Sequence, residues 1–168
     1  MPDRTTIMNF HHFLEKHDAG EQVLALINDK LKQASLMLRR GINIDATIIT
    51  APCSVKNNSG QRDPEMYQTR KGNQCYFGMK AHIAFDASTG LTEKVVTTGA
   101  NEHDLNVAKS LITEPVPVVF TDAGYRGAVK RESLCGQVKD WFIARRPHAV
   151  KKPRQHPQRH NQDFMMNM

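Results

Sequence analysis

Two apolar, β-rich runs each carry one aspartate, and any fold for this chain has to accommodate both. Asp45 lies within Ile42-Asn43-Ile44-Asp45-Ala46-Thr47-Ile48-Ile49, and Asp122 follows Val116-Pro117-Val118-Val119-Phe120-Thr121. Runs so dense in Ile, Val and Phe read as strands with at least one buried face. A bare carboxylate buried in such a strand costs several kcal/mol, so each must be paired, hydrogen bonded or bound to a cation. Two of them suggest a shared metal. The plainer alternative stays open at this level, because Asp at a strand end is commonly a turn former or a cap, and Asp122-Ala123-Gly124-Tyr125-Arg126-Gly127 suits a turn.

Apolar spacing and turn residues divide the rest of the chain. Asp3 or Thr5 can cap a helix through about His17, with Ile7, Phe10 and Leu14 on one face and Gly20 ending it. Val23, Leu24, Ile27, Leu31, Ala34 and Leu38 continue at helical spacing up to Gly41. The pair could form a DNA-binding helix-turn-helix, but packing against a sheet explains the same apolar faces and is preferred. The polar stretch from Ala51 to Gln74 reads as a loop, whose Lys56, Arg62, Arg70 and Lys71 suit a phosphate backbone or plain solvation equally. Tyr76 to Asp86 and Leu91 to Thr98 read as strands joined by the Ala87-Ser88-Thr89-Gly90 hairpin. A helix from about Asp104 to Ile112, capped by Asn101 or Asp104, leads to the Asp122 strand. A second helix from about Gly127 to Cys135 leads to a short strand at Trp141-Phe142-Ile143-Ala144. The order is three strands, helix, strand, helix, strand.

A chain of 168 residues with 39% hydrophobic and 24% charged content is sufficient for one domain with its own core. The net charge of +6 and a pI near 9.4 favour a polyanionic partner. Three widely spaced cysteines, Cys53, Cys75 and Cys135, fit neither a disulfide framework nor a zinc pattern, so a reducing cytoplasm is expected. No run approaches the ~20 apolar residues that span a bilayer, and no membrane association is expected. The histidines are mostly scattered and show no ligand spacing. From Arg145 to Arg159 the chain is basic, lacks acids and is interleaved with Pro147, Pro153 and Pro157, which suits an extended tail that binds phosphate or is simply solvated.

Five segments carry a family resemblance: Asp45-Ala46-Thr47-Ile48-Ile49, Gly72-Asn73-Gln74, Phe77-Gly78-Met79-Lys80-Ala81-His82, Ala100-Asn101-Glu102-His103-Asp104 and Thr121-Asp122-Ala123-Gly124-Tyr125-Arg126-Gly127. From about Pro2 to Pro157 the chain closely resembles bacterial insertion-sequence transposases of the DDE type, in the group named after insertion sequence five. The resemblance implies an α/β fold of the ribonuclease-H-like kind, a mixed five-stranded sheet with flanking helices. Its first three strands are antiparallel, and its first and fourth lie side by side and parallel. That arrangement would unite Asp45 and Asp122, which are 77 positions apart. By the same resemblance they are the first two of three metal-binding catalytic acids. The intact family site holds two Mg2+ or Mn2+ ions and acts on phosphodiesters of DNA at transposon ends and target. Lys80, Tyr125 and Arg126 are expected to contact DNA, as are Lys151, Lys152 and Arg154 of the tail. Further partners would be a second copy or a full-length transposase.

The chain also departs from the family. The third acid, a glutamate on a long helix after the fifth strand, has no counterpart, since no glutamate follows Glu132. The expectation is therefore a transposase fragment shortened at both ends, lacking the last catalytic helix and inactive. Its parts would be a helical segment over 1–40, a partial catalytic core over 41–146 and a basic Pro-rich tail over 147–168. Two alternatives are a non-catalytic DNA-binding remnant that interferes with a full-length transposase, and a related nuclease in which Glu132 replaces the missing acid. Loss of the helix would leave one sheet face uncovered.

Overall fold

A computed structural model describes residues 1–52 and 60–145. The tail over 147–168, with Lys151, Lys152 and Arg154, lies outside the described residues, as do Cys53 and Lys56. Asp3 caps helix α1 (Arg4–Lys16) by accepting the Thr6 N–H at 2.7 Å. The chain then reverses at Asp18, which takes the left-handed conformation with φ of 46°, and α2 runs over Ala19–Gln33. Gly20 thus lies in the first turn of α2 and does not end α1; Asp tolerates the left-handed region well enough to make the break instead. Helix α2 also stops well before Gly41, where Ser35 and Arg39 turn the chain at φ of 55° and 48°.

Packing of the two helices on the sheet is slighter than their apolar spacing suggests. None of α1 is buried, and in α2 only Asn28 is, donating its amide to the Glu93 carbonyl at 2.7 Å. Ile7, Phe10, Val23 and Ile27 stay exposed.

Six strands form one mixed sheet: β1 (Ile42–Thr50), β2 (Tyr67–Lys71), β3 (Gln74–Asp86), β4 (Thr92–Gly99), β5 (Val116–Thr121) and β6 (Val138–Ile143). Strand β3 is antiparallel to β1, β2 and β4, while β1, β5 and β6 run parallel. The order β4-β3-β1-β5-β6 is that of the ribonuclease-H-like fold. The sheet has one strand more than the five expected, because part of the presumed loop pairs as β2. Strand β3 outlasts β4, whose last pair is Gly99 with Met79, and the backbone left over takes Tyr67 to Lys71 through a turn with Gly72 at φ of 62°. Pro117, which cannot donate to a ladder, precedes the stretch of β5 that pairs with β1, since that ladder begins at Val119.

Alternation along the strands gives the sheet two unlike faces. On one, Ile42, Ile44, Ala84 and Val119 pack with Leu105, Ala108 and Leu111 of α3 (Asp104–Leu111). His103 caps α3, its Nδ1 accepting the Leu105 N–H at 3.2 Å, where Asn101 or Asp104 was expected. The segment after Asp122 completes this core with Tyr125, Ala128 and Leu134. It does so as three short 3-10 turns, Ala123–Tyr125, Ala128–Lys130 and Glu132–Leu134, and not as a helix over 127–135. Gly127 at φ of 97° and the extended Arg131 interrupt helical continuation. The opposite face exposes Ile49, Phe120 and Phe142, the last two stacked with ring centroids 5.3 Å apart.

A buried carboxylate fixes the entry into β1. Asp86 has no exposed surface; its Oδ2 accepts the Arg39 N–H at 2.5 Å and its Oδ1 the N–H groups of Ser88 and Thr89 at 2.8 and 2.9 Å. The Arg39 guanidinium continues to Glu93 at 3.0 Å and to Glu114. Burial pushes the Asp86 pKa up, but the amides of Arg39, Thr89 and Ser88 together outweigh it and hold it below the usual carboxylate range. Replacing Asp86 by Ala leaves three N–H groups without their charged acceptor and should lower unfolding free energy by about 3 kcal/mol, read from the urea midpoint. Because the folded state lowers this pKa, the contribution is complete above the ordinary aspartate value of about 3.9 and drains away as pH falls through the folded value. The variant should lose that part of the acid dependence.

Candidate functional site

The ladder between β1 and β5 decides where the two aspartates stand. Its pairs are Ile42 with Val119, Asn43 with Phe120 and Ile44 with Thr121, so Asp45 and Asp122 are each the next residue after the last pair. Neighbouring strands lie about 4.8 Å apart. Asp122 keeps an extended backbone, with φ of −79° and ψ of −179°. The two aspartates therefore follow Ile44 and Thr121 side by side, on the alternation of Asn43 and Phe120 that defines the open face. Both are exposed, so no burial penalty compels them to find a partner, which corrects the expectation of buried charges. Each accepts a local backbone N–H: Ala46 to Asp45 Oδ1 at 2.8 Å, and Gly124 to Asp122 Oδ1 at 2.8 Å. The capping reading of Asp122 is thus correct as local structure, and it leaves each carboxylate a second oxygen.

A third aspartate approaches from the covered side. Asp104, the first residue of α3, binds Lys80 Nζ through Oδ1 at 2.9 Å, and Lys80 also donates to the Glu102 carbonyl at 2.6 Å. A Cβ built on Gly124 would stand 2.9 Å from both Asp104 Oδ2 and Asp122 Oδ1, so those two oxygens lie within twice that distance of each other. His82 is fully buried, its Nε2 at 2.9 Å from Thr98 Oγ1 and its Nδ1 at 4.0 Å from Asp104 Oδ1. Burial pushes the His82 pKa down, and the opposing pull of Asp104 does not offset it, so the ring is neutral at neutral pH. Tyr125 is buried as well. Burial first, then the charges of Asp104, Asp122 and Asp45, raise the pKa of its hydroxyl, which places all three carboxylates in its electrostatic surroundings.

The remaining candidates separate. Lys80, expected to meet DNA, has its ammonium committed to Asp104 and Glu102 with little of the side chain exposed. Tyr125 presents no surface to a ligand, whereas its neighbour Arg126 is exposed beside the Asp122 turn. Glu132 lies exposed in the last 3-10 turn. Sequence reasoning gave Asp104 only a capping role; the alternation of Lys80 and His82 on one strand face was the available signal, and it lacked a partner. Among the described residues, no group of three or more His, Cys, Asp or Glu side chains is disposed to hold a metal ion. None of the described helices is long and apolar enough to cross a membrane.

Comparison with known proteins adds two findings. The family model described as a transposase DDE domain matches residues 37–166. Among solved structures, the chain is similar to one in a cryo-EM structure of the piggyBac transposase synaptic complex with hairpin DNA, at 14% identity and a TM-score of 0.40. That match covers 70% of this chain and 27% of the other, so the chain spans about a quarter of that protein's length.

Gly124 makes the approach of Asp104 to Asp122 testable. A methyl there meets the ends of two side chains that can swing away, so Gly124→Ala should fold with a loss of about 1–3 kcal/mol in the urea midpoint. Gly20→Ala, in a helix with nothing within 4 Å of the added carbon, should instead stabilise by about 0.5–1 kcal/mol.

Proposed function

This chain belongs to the transposase DDE domain family, and from that premise we propose that its site is built for DNA phosphodiesters at the ends of a transposable element, with Asp45 and Asp122 as two acids of the reaction centre and no glutamate after Glu132 to supply the third. The observation that carries this reading is the β1–β5 register, which sets the two exposed aspartates side by side on the open face of the sheet.

The donor set suits magnesium or manganese, which take hard oxygen ligands and are commonly held by one or two carboxylates, with water and substrate phosphate completing the shell. Such an ion, when bound, lowers the pKa of an attacking water or aligns a 3′-hydroxyl and stabilises the leaving oxygen. The chain's own residues supply placement. Ala46 and Gly124 amides orient the two carboxylates through their Oδ1 atoms. Arg126, exposed beside Asp122, is the phosphate contact nearest the acids in sequence. Lys151, Lys152 and Arg154 add basic charge to the same task, and the net charge of +6 favours DNA as partner. The Lys80 ammonium is engaged by Asp104, so its part is to organise the centre and not to grip DNA.

The test is magnesium- or manganese-dependent nicking of DNA carrying the element's own ends. Nicking by the chain should fall to background in Asp45→Ala and Asp122→Ala, while salt-sensitive DNA binding by the two variants stays unchanged. Binding without nicking from a folded chain would favour the non-catalytic DNA-binding reading. Nicking that survives in either variant would place the chemistry elsewhere.

A further inference from the structure

Resting on the reading of Asp45 and Asp122 as the cation-holding pair, we propose that Asp104, held by Lys80, is a positioning residue that sets where the Asp122 carboxylate stands and how tightly it holds a cation. The argument starts from what Asp104 touches. Its Oδ1 takes the Lys80 ammonium at 2.9 Å, with the two side chains only 25% and 13% exposed. Charges so withdrawn from solvent are weakly screened. A Cβ on Gly124 would meet both Asp104 Oδ2 and Asp122 Oδ1 at 2.9 Å, so the two oxygens share the space at that glycine.

This contact couples distant parts of the fold. Lys80 belongs to β3 and pairs with Ile48 of β1, whereas Asp104 opens α3 and reaches the turn that carries Asp122. The ion pair therefore links α3, whose first residue lies against the Asp122 turn, to β3, the neighbour of the strand that carries Asp45. Behind the pair, the fully buried His82 Nδ1 faces Asp104 across 4.0 Å, and among the described residues neither it nor the buried Tyr125 hydroxyl has a hydrogen-bond partner.

Charge gives the two members of the pair opposite effects. A carboxylate close behind Asp122 repels it and makes a cation on it more welcome; the Lys80 ammonium weakens that repulsion. Asp104→Asn removes the negative charge at nearly constant shape and keeps an oxygen for Lys80. Lys80→Gln removes the positive charge and leaves Asp104 uncompensated. A purely mechanical clamp would suffer from both changes alike, whereas an electrostatic positioning pair responds in opposite directions.

The experiment is Mn2+ affinity, read by electron paramagnetic resonance of the free ion, on the full 168-residue chain, with circular dichroism melts to confirm folding. Asp104→Asn should bind Mn2+ about tenfold or more weakly, Lys80→Gln more tightly than the parent, and Glu132→Gln like the parent. Asp45→Asn and Asp122→Asn should lose binding. If the parent binds no Mn2+, or those two variants bind as it does, the underlying reading fails and the proposal with it. If they lose binding while Asp104→Asn retains it, only the proposal falls. Equal weakening by Asp104→Asn and Lys80→Gln would reduce the pair to a structural clamp and overturn it too. Should Asp104→Asn not fold, the sign of the Lys80→Gln effect decides alone, tighter binding supporting the proposal and weaker binding overturning it.

Discussion

The short parallel ladder between β1 and β5 is the constraint from which the rest of the molecule takes its meaning. Three residue pairs join two strands that are far apart in sequence, and the ladder stops one residue before each aspartate. A slip by one position would turn every side chain of β1 to the other face and send Asp45 into the core. Several contacts hold the register. Ile42, Ile44 and Val119 are buried together, and the Ala87 N–H reaches the Gly41 carbonyl at 2.9 Å. The buried Asp86 ties the segment that enters β1 to the hairpin that leaves β3. The buried Asp86 thus anchors the entry of the strand that carries Asp45.

The sheet also sorts its acids by face. Asp45 and Asp122 follow the alternation of the open face, while Asp104 comes with α3 from the covered one and meets Asp122 at the strand end. Gly124 makes the meeting possible, because a side chain there would occupy the space both carboxylates use. Exposed oxygens stay available to water, phosphate and cation, and the shielded Lys80–Asp104 pair stands behind them in a less screened environment. The open face carries apolar residues as well, Ile49, Phe120 and Phe142, next to the charged pair.

Much of this was legible in the residues, and the misses have physical causes. Dense Ile and Val announced β1 and β5, a run with Tyr76, Phe77, Ile83 and Phe85 announced β3, and Asp45 in β1 and Asp122 just after β5 stood out by type against that background. Strand β2 did not, because Tyr67-Gln68-Thr69-Arg70-Lys71 has no apolar alternation and forms by backbone pairing with the overhang of β3. The stretch after Gly127 looked helical by composition, yet two interruptions confine it to single 3-10 turns. Apolar spacing in α1 and α2 was read correctly as helix, but spacing cannot say what covers a face, and most of theirs is exposed. The tie between Lys80 and Asp104 spans 24 positions and two element types, so no local pattern could show it.

The central claim is that Asp45 and Asp122 act on one cation, and paramagnetic broadening by Mn2+ tests it most directly. The amides of Ala46 and Gly124 donate to the two carboxylates and report on them in a 15N-correlated spectrum. The account predicts that both resonances vanish together, along a single titration curve, with Mg2+ restoring both. An ion on either carboxylate alone would already broaden both amides, so broadening that persists unchanged in Asp45→Asn or in Asp122→Asn, or that follows two separate curves, would contradict a shared site.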